Sequence, residues 1–121
     1  HLVLAEQKTA LKLETAAVFG DKNPEMLAMV LQVLDQDMVV DVPDPDMVPD
    51  GDAALEDLIR DWEAARKRLH AFLEACGPDD LDAPVSHHAV AGSLTVIECL
   101  RLLGSHFNHH RRRIEAAIAR H

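Results

Sequence analysis

Apolar residues recur at helical spacing near the end of the chain. From Val96 onward they step forward by four and three residues in turn, which keeps them on one face of an α-helix. The residues in this row are Val96, Leu100, Leu103, Phe107, His110, Ile114 and Ala117. Thr95 and Glu98 lie three apart at the start and can cap a helix reciprocally. The pattern therefore predicts a helix that begins after Thr95 and presents a bundle seam over about six turns.

The opening residues predict another long helix. Leu4, Leu11 and Val18 repeat every seven residues, and His1 lies three residues before Leu4 on the same side. We expect this helix to run from His1 to about Phe19. Because the chain enters the pattern at once and without a methionine, we also expect the sequence to begin partway through its natural domain.

A shorter helix and an acidic connection follow. Asn23 is a suitable N-cap, and Pro24 fits the first helical position. The apolar face of this helix comprises Leu27, Val30, Leu31, Leu34 and Met38. Residues 39–51 contain three prolines at near-alternate positions, which exclude a helix there. The length of this acidic segment predicts a crossover between helices rather than a tight turn.

A third long helix is predicted in the middle of the chain. Asp52 is the expected N-cap, and Gly77 followed by a proline ends the pattern. Its apolar positions, at spacings of three and four, include Leu55, Ile59, Trp62, Leu69, Phe72 and Cys76. Residues 77–93, which include His87 and His88, are expected to form a loop before the last helix.

The composition supports a helical bundle. Apolar residues make up 48% of the 121 residues, but aromatic residues only 3%. Such a core must be aliphatic, which favours helices packed on helices. The length allows one domain, which we place at residues 1–121. The predicted fold class is therefore all-α.

Charge and cysteine content argue against several classes of function. With 21 acidic against 12 basic residues, the formal charge is −9, whereas a nucleic-acid-binding protein usually shows a basic patch. The one dense basic run, residues 111–113, is interpreted as a solvated helix face near a C-terminus. No run approaches the ~20 apolar residues that span a bilayer. The isolated Cys76 and Cys99 predict a reduced, cytoplasmic protein with both thiols in the core.

Three histidines lie within five residues of the last predicted helix. His106 and His110 are four apart, which stacks their rings on one face where both can reach a single metal ion. At roughly 100° per residue, His110 lies on the apolar seam, His106 about 70° from its centre, and His109 about 130° away, facing solvent. Spacing alone leaves open a metal site or two core histidines with separate polar partners.

A metal site of this kind needs a third protein ligand. The candidates are His1, His70, His87, His88, Cys99 and several acids. His70 falls off the apolar stripe of its helix and is expected to be solvated. Along the axis of the last helix, His87 and His88 lie ~17 Å from His106 and Cys99 lies ~10 Å from it. His1 shares a helical face with Leu4 and can face the core, so the spacing favours His1.

Three short motifs follow one another in a recognisable order. Residues 1–6 are H-L-V-L-A-E, residues 88–95 are H-A-V-A-G-S-L-T, and residues 106–110 are H-F-N-H-H. Together with the Arg- and Glu-rich residues 55–73, they resemble the DinB-like (YfiT-like) family of helical-bundle metalloproteins. The corresponding family patterns are H-L-x-x-x-E, H-P-x-x-G-x-L-T and H-x-x-x-H. The resemblance covers nearly the whole chain.

This resemblance implies an up-down-down-up four-helix bundle with one long crossover, whose first helix would precede His1. It also implies a divalent metal ion, zinc or nickel, held by His1, His106 and His110. Characterised relatives are metal-dependent hydrolases and transferases that use low-molecular-weight thiols. The partners implied are therefore a small-molecule substrate or a thiol, with neither nucleic acid nor membrane.

Two functional hypotheses follow from these patterns. The first is a metal-dependent hydrolase or thiol transferase with an open position on the ion. Glu6 is its one candidate general base, and a surface acid is the alternative interpretation of that residue. The second is a non-catalytic bundle, with a structural metal or none, that acts as a homodimer. The acidic surface and an open side of the bundle fit a homodimer.

Overall fold

Four α-helices make up most of the protein in a computed structural model, which describes residues 1–15, 23–36, 45–49, 51–88 and 90–121. The helices are α1 (Leu2–Thr15), α2 (Pro24–Asp35), α3 (Leu55–Ala75) and α4 (Val96–Ala119). The smaller elements are two 3₁₀ segments, Pro45–Met47 and Pro78–Asp82, and two strands, β1 (Pro84–His88) and β2 (Gly92–Thr95). The helical fold class is confirmed. The predicted extension of the first helix to Phe19, Met38 and part of the acidic connection lie outside the described residues.

The helices pack around α1 and α4. Helix α1 contacts both α3 and α4, and α2 lies along α4. Trp62 of α3 faces Phe107 in the second half of α4, whereas Leu69 shares a cluster with Leu94 and Cys99 near its beginning. Helix α3 therefore runs antiparallel to α4, as the predicted up-down-down-up order requires of these two helices. None of the described helices is long and apolar enough to cross a membrane.

The core lies where α2, α3 and the first turns of α4 meet. Its buried residues are Leu27, Leu69, Ala91, Leu94 and Cys99, and the side chains packed against them are Val30, Leu31, Phe72, Val85, Leu102 and Leu103. Aliphatic side chains thus dominate this core, as the composition predicted. The buried thiol of Cys99 confirms its predicted core position, whereas Cys76 is only half-buried.

Two helix starts form as their capping residues predict. The side chain of Asn23 accepts a hydrogen bond from the backbone N–H of Met26 at 3.2 Å, and Pro24 follows at the first helical position. At the start of α4, the Thr95 hydroxyl accepts from the N–H of Glu98 at 3.2 Å. The Glu98 carboxylate in turn accepts from the N–H of Thr95 at 2.7 Å. These bonds confirm both predicted N-termini. They could be predicted from the sequence because each joins residues within one helical turn.

The start of α3 differs from the prediction. Asp52 is not the N-cap, because a turn at Gly51–Asp52 precedes two non-helical alanines and the helix begins only at Leu55. Ala54 occupies the N-cap position in an extended conformation and has no side chain that can cap. Acidic residues in the first turn, Glu56 and Asp57, complement the positive end of the helix dipole instead.

The predicted loop of residues 77–93 contains regular structure. Strands β1 and β2 pair antiparallel, with Ser86 opposite Leu94 and His88 opposite Gly92. Gly92 has a φ of 77°, a left-handed conformation that glycine adopts without steric cost. Leu94 is buried against the bundle. These strands are too short to give a clear alternating pattern, so the sequence did not reveal the hairpin.

The seam of α4 is buried over only part of its predicted length. Val96 at its start is fully buried, whereas Ile114 is 57% exposed. All residues from Arg113 to the last residue are exposed. The apolar spacing therefore predicted the length of α4 correctly. No described residue buries the side chains of its last turns.

We expect Thr95→Ala to lower the free energy of unfolding by about 1 kcal/mol, because the side-chain half of the capping box disappears. Urea denaturation would measure the change. Thr95→Ser is the matched control, since it keeps the hydroxyl and should retain most of the stability. Equal losses in the two variants would contradict a capping role for this hydroxyl.

Candidate metal centre

Three imidazole rings converge where α1 begins. His1 immediately precedes α1, and His106 and His110 lie one turn apart on α4. The Nε2 atom of His106 is 3.1 Å from the Nε2 of His1 and 3.1 Å from the Nε2 of His110. One potential ligand atom from each ring lies within 4.8 Å of the other two, so the group could hold a metal ion. The structure thus brings together the three histidines predicted from the sequence.

Hydrogen bonding alone accounts poorly for these contacts. His1 Nδ1 donates to the backbone carbonyl of Met47 at 2.9 Å, so a neutral His1 ring carries a lone pair on Nε2. His106 Nε2 carries at most one proton, yet it contacts two other Nε2 atoms. Nitrogens bound to one zinc ion at about 2.0–2.1 Å with tetrahedral angles lie roughly 3.3 Å apart. Two of the three spacings are close to this value, and all three ligand atoms lie within 4.8 Å of one another, so the group could hold a divalent cation.

The Met47 carbonyl is a functional contact that the sequence did not reveal. Met47 ends the 3₁₀ segment Pro45–Met47, and its carbonyl oxygen orients the His1 ring with Nε2 toward the other two histidines. Carbonyls that accept from the second nitrogen of a metal-binding histidine fix its tautomer in the same way. Every residue has a backbone carbonyl, so no residue type signals this contact.

Burial keeps the α4 histidines in the neutral form that metal binding needs. It lowers the pKa of His106 from 6.5 to about 4, with further contributions from the nearby rings of His110 and His109. Burial also lowers the pKa of His110, and His109 and Arg113 add to the effect. Both rings are therefore neutral at pH 7, with a lone pair available for a cation.

His109 contradicts its predicted exposure to solvent. Its side chain is 7% exposed, because α2 packs along α4 on the side opposite the apolar seam. His109 Nδ1 donates to the backbone carbonyl of Leu34 at 3.0 Å, and Arg112 donates to the same oxygen at 2.8 Å. His109 thus joins the C-terminal turn of α2 to α4, where cationic or N–H donors satisfy helix-end carbonyls.

Glu6 is not the surface acid that the sequence suggested as its alternative role. It is 6% exposed, and both carboxylate oxygens accept hydrogen bonds from the Arg66 guanidinium at 2.9 and 3.0 Å. This bidentate pair joins α1 to α3. A carboxylate held in this way is poorly placed to accept a proton from a substrate, so the pair positions helices rather than serving as a general base.

An aromatic and cationic stack borders the histidines. The Arg66 guanidinium lies 4.8 Å from the centre of the Trp62 ring and 5.8 Å from that of Phe107. Phe107 directly follows His106 on α4. Trp62 Nε1 is buried and has no hydrogen-bond partner in the part of the chain that the structure describes. The apolar pattern located Trp62 and Phe107, but it gave no signal for Arg66.

Two other candidate ligands, His70 and His88, make their described contacts outside this cluster. His70 is 74% exposed, with Nδ1 3.6 Å from a carboxylate oxygen of Glu74, so its predicted solvation is confirmed. His88 Nδ1 accepts hydrogen bonds from the N–H groups of Val90 and Ala91, which ties the ring to the hairpin turn. The side chain of His87 lies outside the described part of the structure.

The sequence profile of the DinB superfamily matches residues 1–114. This chain belongs to the DinB superfamily. The match spans all three clustered histidines, so this DinB-superfamily protein carries the cluster within the region that defines its family. No curated protein and no solved structure matches the chain. The matched region thus contains a group of three histidines that could hold a metal ion.

We expect the free energy of unfolding of the metal-free protein to fall as the pH is lowered from about 6.5 to about 4. The folded state has the lower His106 pKa, so it binds fewer protons than the unfolded chain in this window, and protonation favours unfolding. Urea denaturation at a series of pH values measures the slope.

His106→Gln should reduce that slope, because the group with the lowered pKa is gone. His70→Gln is the control, since the side chain of His70 is exposed, and it should keep the slope of the parent. Identical slopes in the parent and in His106→Gln would contradict this assignment.

Proposed function

We propose that this DinB-superfamily protein is a metal-dependent enzyme that binds zinc or nickel through His1, His106 and His110. The reaction is the hydrolysis of a small molecule or the transfer of a low-molecular-weight thiol to one. The observation that supports this proposal best is the pair of 3.1 Å contacts that join three Nε2 atoms. Three imidazoles with one open position are one of the ligand sets of catalytic zinc sites.

Each element of the site has a definable part in this function. The Met47 carbonyl fixes the tautomer and the orientation of His1. Burial keeps His106 neutral, and its helical spacing places His110 beside it. When bound, the cation lowers the pKa of a water or thiol at its open position. The Glu6–Arg66 pair holds α1 against α3, which keeps His1 at the same end of the bundle as the other two rings.

A second candidate function is self-association of a bundle without catalytic activity. The large aliphatic side chains that remain exposed at one end of α3 and α4 favour it. The two functions are compatible, because a dimer can also hold a metal ion in each copy.

We expect protein purified without an affinity tag to contain about one equivalent of zinc or nickel per chain, as measured by elemental analysis. Single substitutions His1→Ala, His106→Ala and His110→Ala should each weaken metal binding by more than the ~10–100-fold that follows loss of an outer partner. His70→Ala should bind as the parent does, since His70 is exposed and outside the cluster. Metal content far below one equivalent, with no affinity for added zinc, would contradict the proposal.

The open position has its own test in the cobalt-substituted protein. We expect a small thiol to add a sulfur-to-cobalt absorption band, because a three-histidine site leaves room for an outside ligand. The band should be absent from His106→Ala treated in the same way. Full metal occupancy without any response to thiols or other small ligands would leave a structural metal site and contradict the catalytic role.

A further inference from the structure

The guanidinium of Arg66 uses only one of its two edges. Its Nε and Nη2 atoms donate to the two carboxylate oxygens of Glu6 at 3.0 and 2.9 Å. A guanidinium has five N–H donors in a fixed planar fork, and the Nη1 donors have no acceptor among the described residues. The Arg66 side chain is 56% exposed, whereas that of Glu6 is 7% exposed. The buried carboxylate therefore holds the inner edge, and the outer edge remains accessible.

A second unused donor lies beside this guanidinium. Trp62 Nε1 is buried and has no hydrogen-bond partner in the described part of the chain. The guanidinium carbon of Arg66 lies 4.8 Å from the centre of the same indole ring. Native structures rarely leave a buried N–H without an acceptor, because the hydrogen bond to water that it loses is not replaced. An unfilled indole donor and an open guanidinium edge thus lie side by side.

Both donors lie next to the candidate metal centre. The Phe107 ring is centred 6.0 Å from the Trp62 ring and 5.8 Å from the Arg66 guanidinium carbon. Phe107 precedes His110 by three residues, so the two side chains are neighbours on α4, with Cβ atoms about 5–6 Å apart. A small molecule roughly 10 Å long therefore reaches from His110 to Arg66.

The charges near the histidines favour an anionic ligand, although the whole chain has a formal charge of −9. Arg113 is close enough to His110 to lower the pKa of that ring, and no described acidic group raises the pKa of His106 or His110. Glu6 neutralises Arg66 from the buried side only. The remaining N–H groups of the guanidinium can still donate charge-assisted hydrogen bonds to an anion from the solvent side.

We propose that the outer edge of Arg66 and the indole N–H of Trp62 bind a carboxylate of the substrate or thiol. One carboxylate oxygen accepts from Nη1 of Arg66, and the other accepts from Nε1 of Trp62. Arg66 is half-exposed and lies over the indole, so a shift of its side chain opens Nε1 to the oxygen. The inference rests on the proposed function, since it names the substrate class of that site: a small molecule or thiol that carries a carboxylate.

The cobalt-substituted protein tests this preference for a carboxylate. The probes are 3-mercaptopropionate and 6-mercaptohexanoate, each compared with its uncharged amide, and the readout is the sulfur-to-cobalt absorption band. The two chain lengths cover a short and a long reach from the metal to Arg66. We expect the acid of at least one pair to bind at least about tenfold more tightly than its amide, because hydrogen bonds that involve a charged group are strong enough for this difference.

Arg66→Lys is the sharpest variant. Lysine keeps a positive charge beside Glu6 but lacks the second edge of the fork, so the preference for the acid should fall at least about fivefold while the affinity for the amide stays unchanged. Arg60→Gln is the matched control: Arg60 lies on the same helix, is 72% exposed and pairs with Asp57, so its replacement should keep the preference of the parent. Circular dichroism and metal content establish that each variant is folded and loaded.

Trp62 is the one tryptophan of the chain, so its fluorescence reports on the proposed subsite. In the zinc-loaded protein, the preferred acid should change the emission, and its amide should not. Trp62→Phe keeps an aromatic ring beside Arg66 but removes the N–H, so in the cobalt protein it should weaken binding of the acid and not that of the amide. Both readouts remain informative if Arg66→Lys does not fold.

Three results would overturn the proposal. Equal affinity for acid and amide in both pairs contradicts a carboxylate subsite and leaves the proposed metal-dependent function standing. A preference that survives both Arg66→Lys and Trp62→Phe shows that the carboxylate binds elsewhere. Absence of the sulfur band with every thiol contradicts the proposed function and this inference together.

Discussion

The candidate site of this protein depends on three imidazole rings held together between the start of α1 and the second half of α4. Their Nε2 atoms are 3.1 Å apart in two of the three pairs, closer than lone pairs tolerate without a proton or a cation between them. Burial opposes protonation of His106. The three rings form a group that could hold a metal ion, so the fold and the candidate chemistry of this site are linked.

Polar contacts between helices hold the rings in place beside a largely aliphatic core. The Leu34 carbonyl accepts from two side chains of α4, Glu6 of α1 is paired with α3, and the Met47 carbonyl orients His1. Each of these contacts satisfies a group that would be costly to bury alone. Aliphatic side chains pack without strong directional preference, so we infer that these polar contacts set the relative positions of the helices.

Helix α4 has three successive environments along its length. Its first turns, from Val96, are buried in the core. His106 and His110 follow at the edge of the bundle, and Ile114 begins the exposed end. The same periodic seam thus serves first as core, then as the wall of a candidate metal centre, and finally as an uncovered surface. The burial of this face changes along α4 because the elements packed against it change, while its apolar spacing stays the same.

The sequence by itself determined the helices, two of the three predicted N-caps and the pairing of His106 with His110. A capping bond closes within one turn, and residues four apart on a helix must share a face, so Thr95 and the His106–His110 pair needed only local information. Only the tertiary structure decided that His109 is buried, that Glu6 is paired and that Met47 orients His1. Those outcomes depend on which helix packs on which face. Helix packing is set by contacts between residues far apart in the chain, and the local sequence of one turn does not specify them.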